Sequence, residues 1–136
     1  MNQTQGGLTM HFKCISGQVF TCPLVFVSIN EHKMIAGSLF KIKKGLKKEW
    51  IDWCAEIQNI RRSEAIETLK EEKVIQEAFV FFEVDDVEYT LGISEGENLP
   101  ANNERDINKI HKEKKKKCLE YIGKVDTLYH LKSKDE

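Results

Sequence analysis

The stretch AFVFFEVDDVEYTLGI, residues 78–93, decides the fold of this chain. Ala78, Val80, Phe82 and Val84 alternate with their neighbours ahead of Asp85-Asp86, and Val87, Tyr89, Leu91 and Ile93 alternate after it. A period of two is the mark of a strand. A two-residue turn at Asp85-Asp86 pairs Val84 with Val87, Phe82 with Tyr89 and Val80 with Leu91, each pair on one face. Asp-Asp is a poorer two-residue turn than Asp-Gly, so a longer loop is the alternative. The expectation is a hairpin whose Phe82 face lies in the core, where Phe82→Ala costs about 3–5 kcal/mol.

Upstream, the same period recurs. Leu8, Met10, Phe12 and Cys14 alternate with polar residues, Ser16-Gly17 signals a turn, and a β-rich run follows from Val19 to Ile29. Pro23 has no N–H to give a ladder and marks an edge or a bulge in that run. After a polar turn at 30–33, Met34 to Ile42 reads as a third strand, completing an antiparallel meander. The period then changes. Leu46, Trp50, Trp53, Cys54, Ile57 and Ile60 form one stripe of an amphipathic helix. Ser63, ahead of Ile66 and Leu69, suggests a fresh N-cap and a second, Glu-rich helix.

Downstream, a polar loop at 94–103 leads to a long terminal helix from Ile107 to Leu131. Its apolar side is marked by Ile107, Ile110, Cys118, Tyr121, Ile122, Val125, Leu128 and Tyr129. The expected class is α+β, in the order βββ-αα-ββ-α. A sheet of about five strands, the meander plus the hairpin, packs on two or three helices. Residues 8–132 make one domain between flexible tails at 1–7 and 133–136, a reading that 136 residues with 40% hydrophobic content accommodate.

Charge is sharply segregated beneath a formal net charge of −1. Residues 1–48 hold 7 Lys against one acid, 49–106 hold 16 acids against 5 Lys and Arg, and 107–136 hold 9 Lys against 5 acids. Two basic clusters stand out: Lys41, Lys43, Lys44, Lys47 and Lys48 where a strand meets a helix, and Lys112, Lys114, Lys115, Lys116 and Lys117 in the last helix. The second run interrupts the apolar stripe between Ile110 and Cys118, so the first half of that helix is expected to project past the core. Such clusters offer a contact surface for an acidic protein, or for phosphates as the alternative. They contain no Arg, the residue best suited to bidentate phosphate and guanine contacts, which favours the protein partner. Trp50 and Trp53, on one helical face, are core anchors, with an exposed aromatic interface as the alternative.

Catalytic and metal signatures are missing. His11, His32, His111 and His130 have no HxxxH or HExxH spacing, and Cys14, Cys22, Cys54 and Cys118 have no CxxC. A tight turn at Ser16-Gly17 would set His11 opposite Cys22, too few ligands for a metal. The acids Glu83, Asp85, Asp86 and Glu88 gather at a hairpin tip, where turns collect Asp for local hydrogen bonds. No cofactor, metal or catalytic residue is therefore expected. The longest apolar run, 19–29, is too short to span a bilayer, and the N-terminus lacks an export signal. The sequence reads as a small cytoplasmic binding or regulatory module that recognises another protein through its charged surfaces. A nucleic-acid-binding accessory protein is the runner-up.

Overall fold

In a computed structural model, which describes residues 10–13, 19–22 and 35–134, the hairpin forms in the register its alternation demands. In chain order the elements are β1 (Met10–Lys13), β2 (Val19–Cys22), β3 (Ile35–Ile42), α1 (Lys47–Asn59) and α2 (Arg62–Glu71). β4 (Val74–Val84), β5 (Val87–Gly96), α3 (Asp106–Cys118) and β6 (Leu119–Val125) follow. Phe82 stands opposite Tyr89 and Val80 opposite Leu91. Asp85 and Asp86 make the two-residue turn with φ of 50° and 66°. Both central residues are left-handed, which suits the twist of a tight hairpin and which Asp tolerates better than most residues.

Two compact units divide the chain, Met1–His32 and Lys33–Glu136. In the first, β1 and β2 pair antiparallel as a two-stranded sheet, with Met10 opposite Cys22 and His11 opposite Thr21. The expected pairing of His11 with Cys22 is thus displaced by one residue. Cys14, Pro23, the rest of the 19–29 run and the tail at 1–7 lie outside the described residues.

The second unit is an antiparallel sheet of four strands in the order β4-β5-β3-β6, with α1, α2 and α3. From β3 onward the topology is the split βαβ arrangement of ferredoxin-like folds, two helices filling the first crossover. This corrects the five-stranded expectation. β1 and β2 stay out of the larger sheet, and its fourth strand comes from the C-terminal segment. The helix expected over 107–131 stops at Cys118, and Leu119, Glu120 and Tyr121 pair with Ile42, Lys41 and Phe40. Tyr121, Ile122 and Val125 fit helical spacing, but the same residues are aromatic or β-branched, and the free edge of β3 offers them a ladder. A bulge between Leu39 and Phe40 leaves Ile122 unpaired.

The helices cover the opposite face from the one expected. Phe40, Ile42, Trp50, Trp53, Ile107, Cys118 and Leu119 form the core, with Phe79 packed against them. The covered face is therefore the Phe79–Phe81 side of β4 and the Thr90–Gly92 side of β5. Two devices make a Thr and a Gly work there. Trp50 Nε1–H donates to Thr90 Oγ1 at 3.3 Å, and that hydroxyl donates to the Val80 carbonyl at 2.9 Å. A Cβ on Gly92 would lie 2.6 Å from the Phe79 ring, so the glycine leaves the dent that the ring fills. Phe82, expected in the core, is half-buried and stacks on Tyr89 with ring centroids 5.3 Å apart on the face away from the three helices.

Candidate functional site

α2 needs no Ser63 cap; it starts at Arg62, and Arg61 grips Glu64 through two hydrogen bonds of 2.9 and 3.0 Å. The helix lies along the start of β4 but does not close on α3, and a cleft of about 730 Å³ opens between α2, α3 and β4. Ile57, Ile66, Leu69, Phe79 and Ile107 supply its apolar walls. Glu72, Glu77, His111, Lys112 and Lys115 bring charge and proton chemistry to the same space.

His111 is placed by the helical stripe Ile107, Ile110, His111, Lys114, Cys118, the inward side of α3. Trp53 Nε1–H donates to His111 Nδ1 at 3.0 Å, so the neutral ring carries its proton on Nε2. Phe79 meets the imidazole edge-on, with centroids 5.9 Å apart. Desolvation, with Lys115 as a lesser cause, pushes the His111 pKa down to about 4. Glu77 shares the inward parity of Phe79 and Phe81. Water reaches it through the cleft, yet protein packs densely around its carboxyl. Desolvation raises its pKa while Lys115 opposes the rise. Glu72 is raised as well, by burial first and then by Glu77 and Glu71. Groups whose affinities for protons are displaced in opposite directions thus line one cleft, the pattern expected of a functional site.

The lysine runs are mostly turned inward or paired. Lys114 and Lys117 both reach Glu49 of α1, at 3.0 and 2.9 Å, and hold its pKa below the ordinary carboxylate value. Lys115 lies over the Phe40 ring, 5.3 Å from its centroid. Lys47 sits over Phe81 at 4.6 Å, Lys48 pairs with Asp52 at 2.7 Å, and Lys43 Nζ donates to the Lys116 carbonyl at 3.1 Å. Among the described residues, Lys41, Lys44, Lys112 and Lys116 have no ion-pair partner. The helix does not project past the core, since Ile107 and Cys118 anchor both its ends at 3% and 0% exposure. The break in its apolar stripe is instead a polar seam against α1, formed by Trp53–His111 and Glu49–Lys114. Trp50 and Trp53, at 1% and 3% exposure, are core residues and not an exposed interface.

Sequence reasoning passed over His111 and Glu77. The signal for His111 was its place on an apolar stripe; that for Glu77 was its alternation with Phe79 and Phe81. Cys54 and Cys118 are free thiols, Cys54 pushed up to about 11 by burial. Among the described residues no group of three His, Cys, Asp or Glu could hold a metal, and no helix is long and apolar enough to cross a membrane.

Fold and cleft together define a small α+β protein of the split βαβ kind with a mixed apolar and charged recess at its helical layer. The chain belongs to DUF6176, a family of unknown function, which matches residues 35–135. No curated protein and no solved structure matches it.

Proposed function

We propose that this chain is a small-molecule-binding protein whose ligand occupies the α2–α3–β4 cleft. The observation that carries the proposal is the cleft's composition: apolar walls with Glu77, His111 and Lys115 lining the same space. Its volume suits a ligand of ordinary metabolite or drug size. The lining cations Arg62, Lys112 and Lys115 outnumber the acids Glu72 and Glu77 while His111 is neutral, so the favoured ligand is an amphiphile with an anionic head. The apolar body lies on Ile66, Leu69 and Phe79. The head meets Lys112 and Lys115, beside Glu77, whose affinity for a proton is raised by desolvation.

Decanoate is a suitable probe. Titrated into isotope-labelled protein up to about 1 mM, it is expected to shift the resonances of Phe79, His111 and Lys115 and leave those of β6 unmoved. Ile66→Trp, which fills the cleft from α2, is expected to abolish the shifts with the fold intact. Absence of shifts in the wild type overturns the reading.

A second reading rests on a different observation. Lys109, Lys112 and Lys116 are all exposed and, at i, i+3 and i+7, fall on one outward side of α3. We propose this row as the contact for an acidic protein partner, with a nucleic acid as the alternative. Binding of heparin and of an acidic peptide distinguishes them by salt dependence, which is steeper for the polyanion that releases condensed counterions.

A further inference from the structure

We infer that the uncovered face of the four-stranded sheet is where a second copy of this chain docks. Four observations within Lys33–Glu136 support it. First, the face is apolar and open. Leu39, Phe82, Tyr89, Leu91 and Ile93 are only half-buried, and Val80 and Val84 are 45% and 50% exposed. A contiguous exposed apolar patch of this kind marks an interaction surface.

Second, the segment after β6 adds to the same side. Thr127 Oγ1 donates to the Ile35 carbonyl at 2.9 Å, and Lys132 then pairs with Glu95, whose side chain belongs to the open face. The strap thus crosses that face at its Ile35–Glu95 end and brings Glu95 to 1% exposure. Its own Leu128, Tyr129 and Leu131 stand in water at 92%, 80% and 81% exposure. Leucines and a tyrosine held on a tethered strap beside an open apolar sheet lack only a surface to lie on.

Third, the charge on the face suits self-association. In a chain that is 32% charged, this face carries Lys41 opposite Glu120 in register and Glu95 paired with Lys132. These sum to zero, so the face has no net charge with which to repel a second copy of itself. An acidic or basic partner would find no complementary field there.

Fourth, the size is right. Four strands about 4.8 Å apart, over about seven paired residues rising about 3.4 Å each, make roughly 450 Å² in plan. Accessible surface exceeds plan area on a face studded with side chains, and the strap enlarges it further. The plan area alone is over half of the roughly 800 Å² per partner of a standard interface. Two such faces pack about 10 Å apart with side chains interdigitating.

The test is sedimentation velocity on the full 136-residue chain at about 100 µM. The expected mass is twice the 15.8 kDa of one copy. Val80→Glu on the sheet and Leu131→Glu on the strap are each expected to raise the dimer dissociation constant about 100-fold. The far-UV circular dichroism of both variants is expected to stay that of the wild type. A wild type that sediments as a monomer overturns the inference, and so does a Val80→Glu variant that remains a dimer. Should Val80→Glu fail to fold, Leu131→Glu decides alone, because the strap lies outside every helix and strand; a retained dimer there overturns the inference too.

Discussion

Both faces of the four-stranded sheet carry large apolar side chains, but helices cover only one, and the covered one is the less hydrophobic in β5. On the covered side β5 offers Glu88, Thr90, Gly92 and Ser94; on the open side it offers Val87, Tyr89, Leu91 and Ile93. What selects the covered side is how well each position receives what comes down onto it. Thr90 accepts an indole N–H that would otherwise be buried without a partner, and Gly92 makes room for a ring. Complementarity of shape and hydrogen bonding places the helices. In β5, apolar area alone would have favoured the other side.

That comparison can be broken at its strongest point first. Trp50→Ala removes the buried indole that α1 lays on the covered face, and urea unfolding is expected to show a loss of about 3–5 kcal/mol. A loss below 1 kcal/mol would mean that the helical layer is not the core.

The next effect in size depends on pH. Unfolded, His111 takes up a proton near its ordinary value of 6.5; folded, it resists until about pH 4. Its contribution is therefore complete above about pH 6.5 and is lost as pH falls towards 4, by at most about 3 kcal/mol. His111→Gln keeps an acceptor for Trp53 and is expected to remove that part of the acid slope in unfolding curves taken at successive pH values. Glu72 and Glu77 act in the opposite sense: their raised pKa values mean stability lost as pH rises above 4.5. Glu77→Gln should therefore flatten the curve on that side. A His111→Gln slope identical to the wild type would place the imidazole in water.

Thr90→Val tests the hydrogen bond in isolation. It keeps the side-chain volume but strands the Trp50 N–H, with an expected cost of about 1–3 kcal/mol. Neutrality there would make packing alone sufficient. The smallest effect belongs to the open face. Phe82→Ala breaks a half-buried stack with Tyr89, and at micromolar concentration calorimetry is expected to register about 1 kcal/mol. The 3–5 kcal/mol of a core position would return the helices to this side.

The hairpin was legible down to its register because alternation and a two-residue turn constrain each other: with Asp85-Asp86 as the turn, Val84 falls opposite Val87. α1 was legible from Trp50, Trp53 and Ile57. The covered face was not, because Phe79-Val80-Phe81-Phe82 is apolar on both parities and the chain's choice depends on a Thr and a Gly that score as weak core residues. β6 was missed for a related reason: Tyr121, Ile122 and Val125 fit a helical stripe and alternate only across a bulge, and the vacant edge of β3 arbitrates. The cleft left traces in His111 and Glu77, each a polar residue on an inward parity. Its walls come from three separate elements, and no local pattern announces that α2 and α3 stand apart.

The rings around Phe79 have one more consequence. Phe79 meets Trp50 edge-on at 5.4 Å and also walls the cleft, while the indole of Trp53 donates to a histidine on the same wall. The chain holds only these two tryptophans. Each is one side chain removed from the recess and shielded from bulk water, so a molecule that settles there and tilts Phe79 or claims His111 changes the surroundings of a fluorophore. The protein carries its own optical reporter. A collection of compounds can be screened against unlabelled material by the colour and intensity of its emission, with Ile66→Trp excluded because it would add a third source of light.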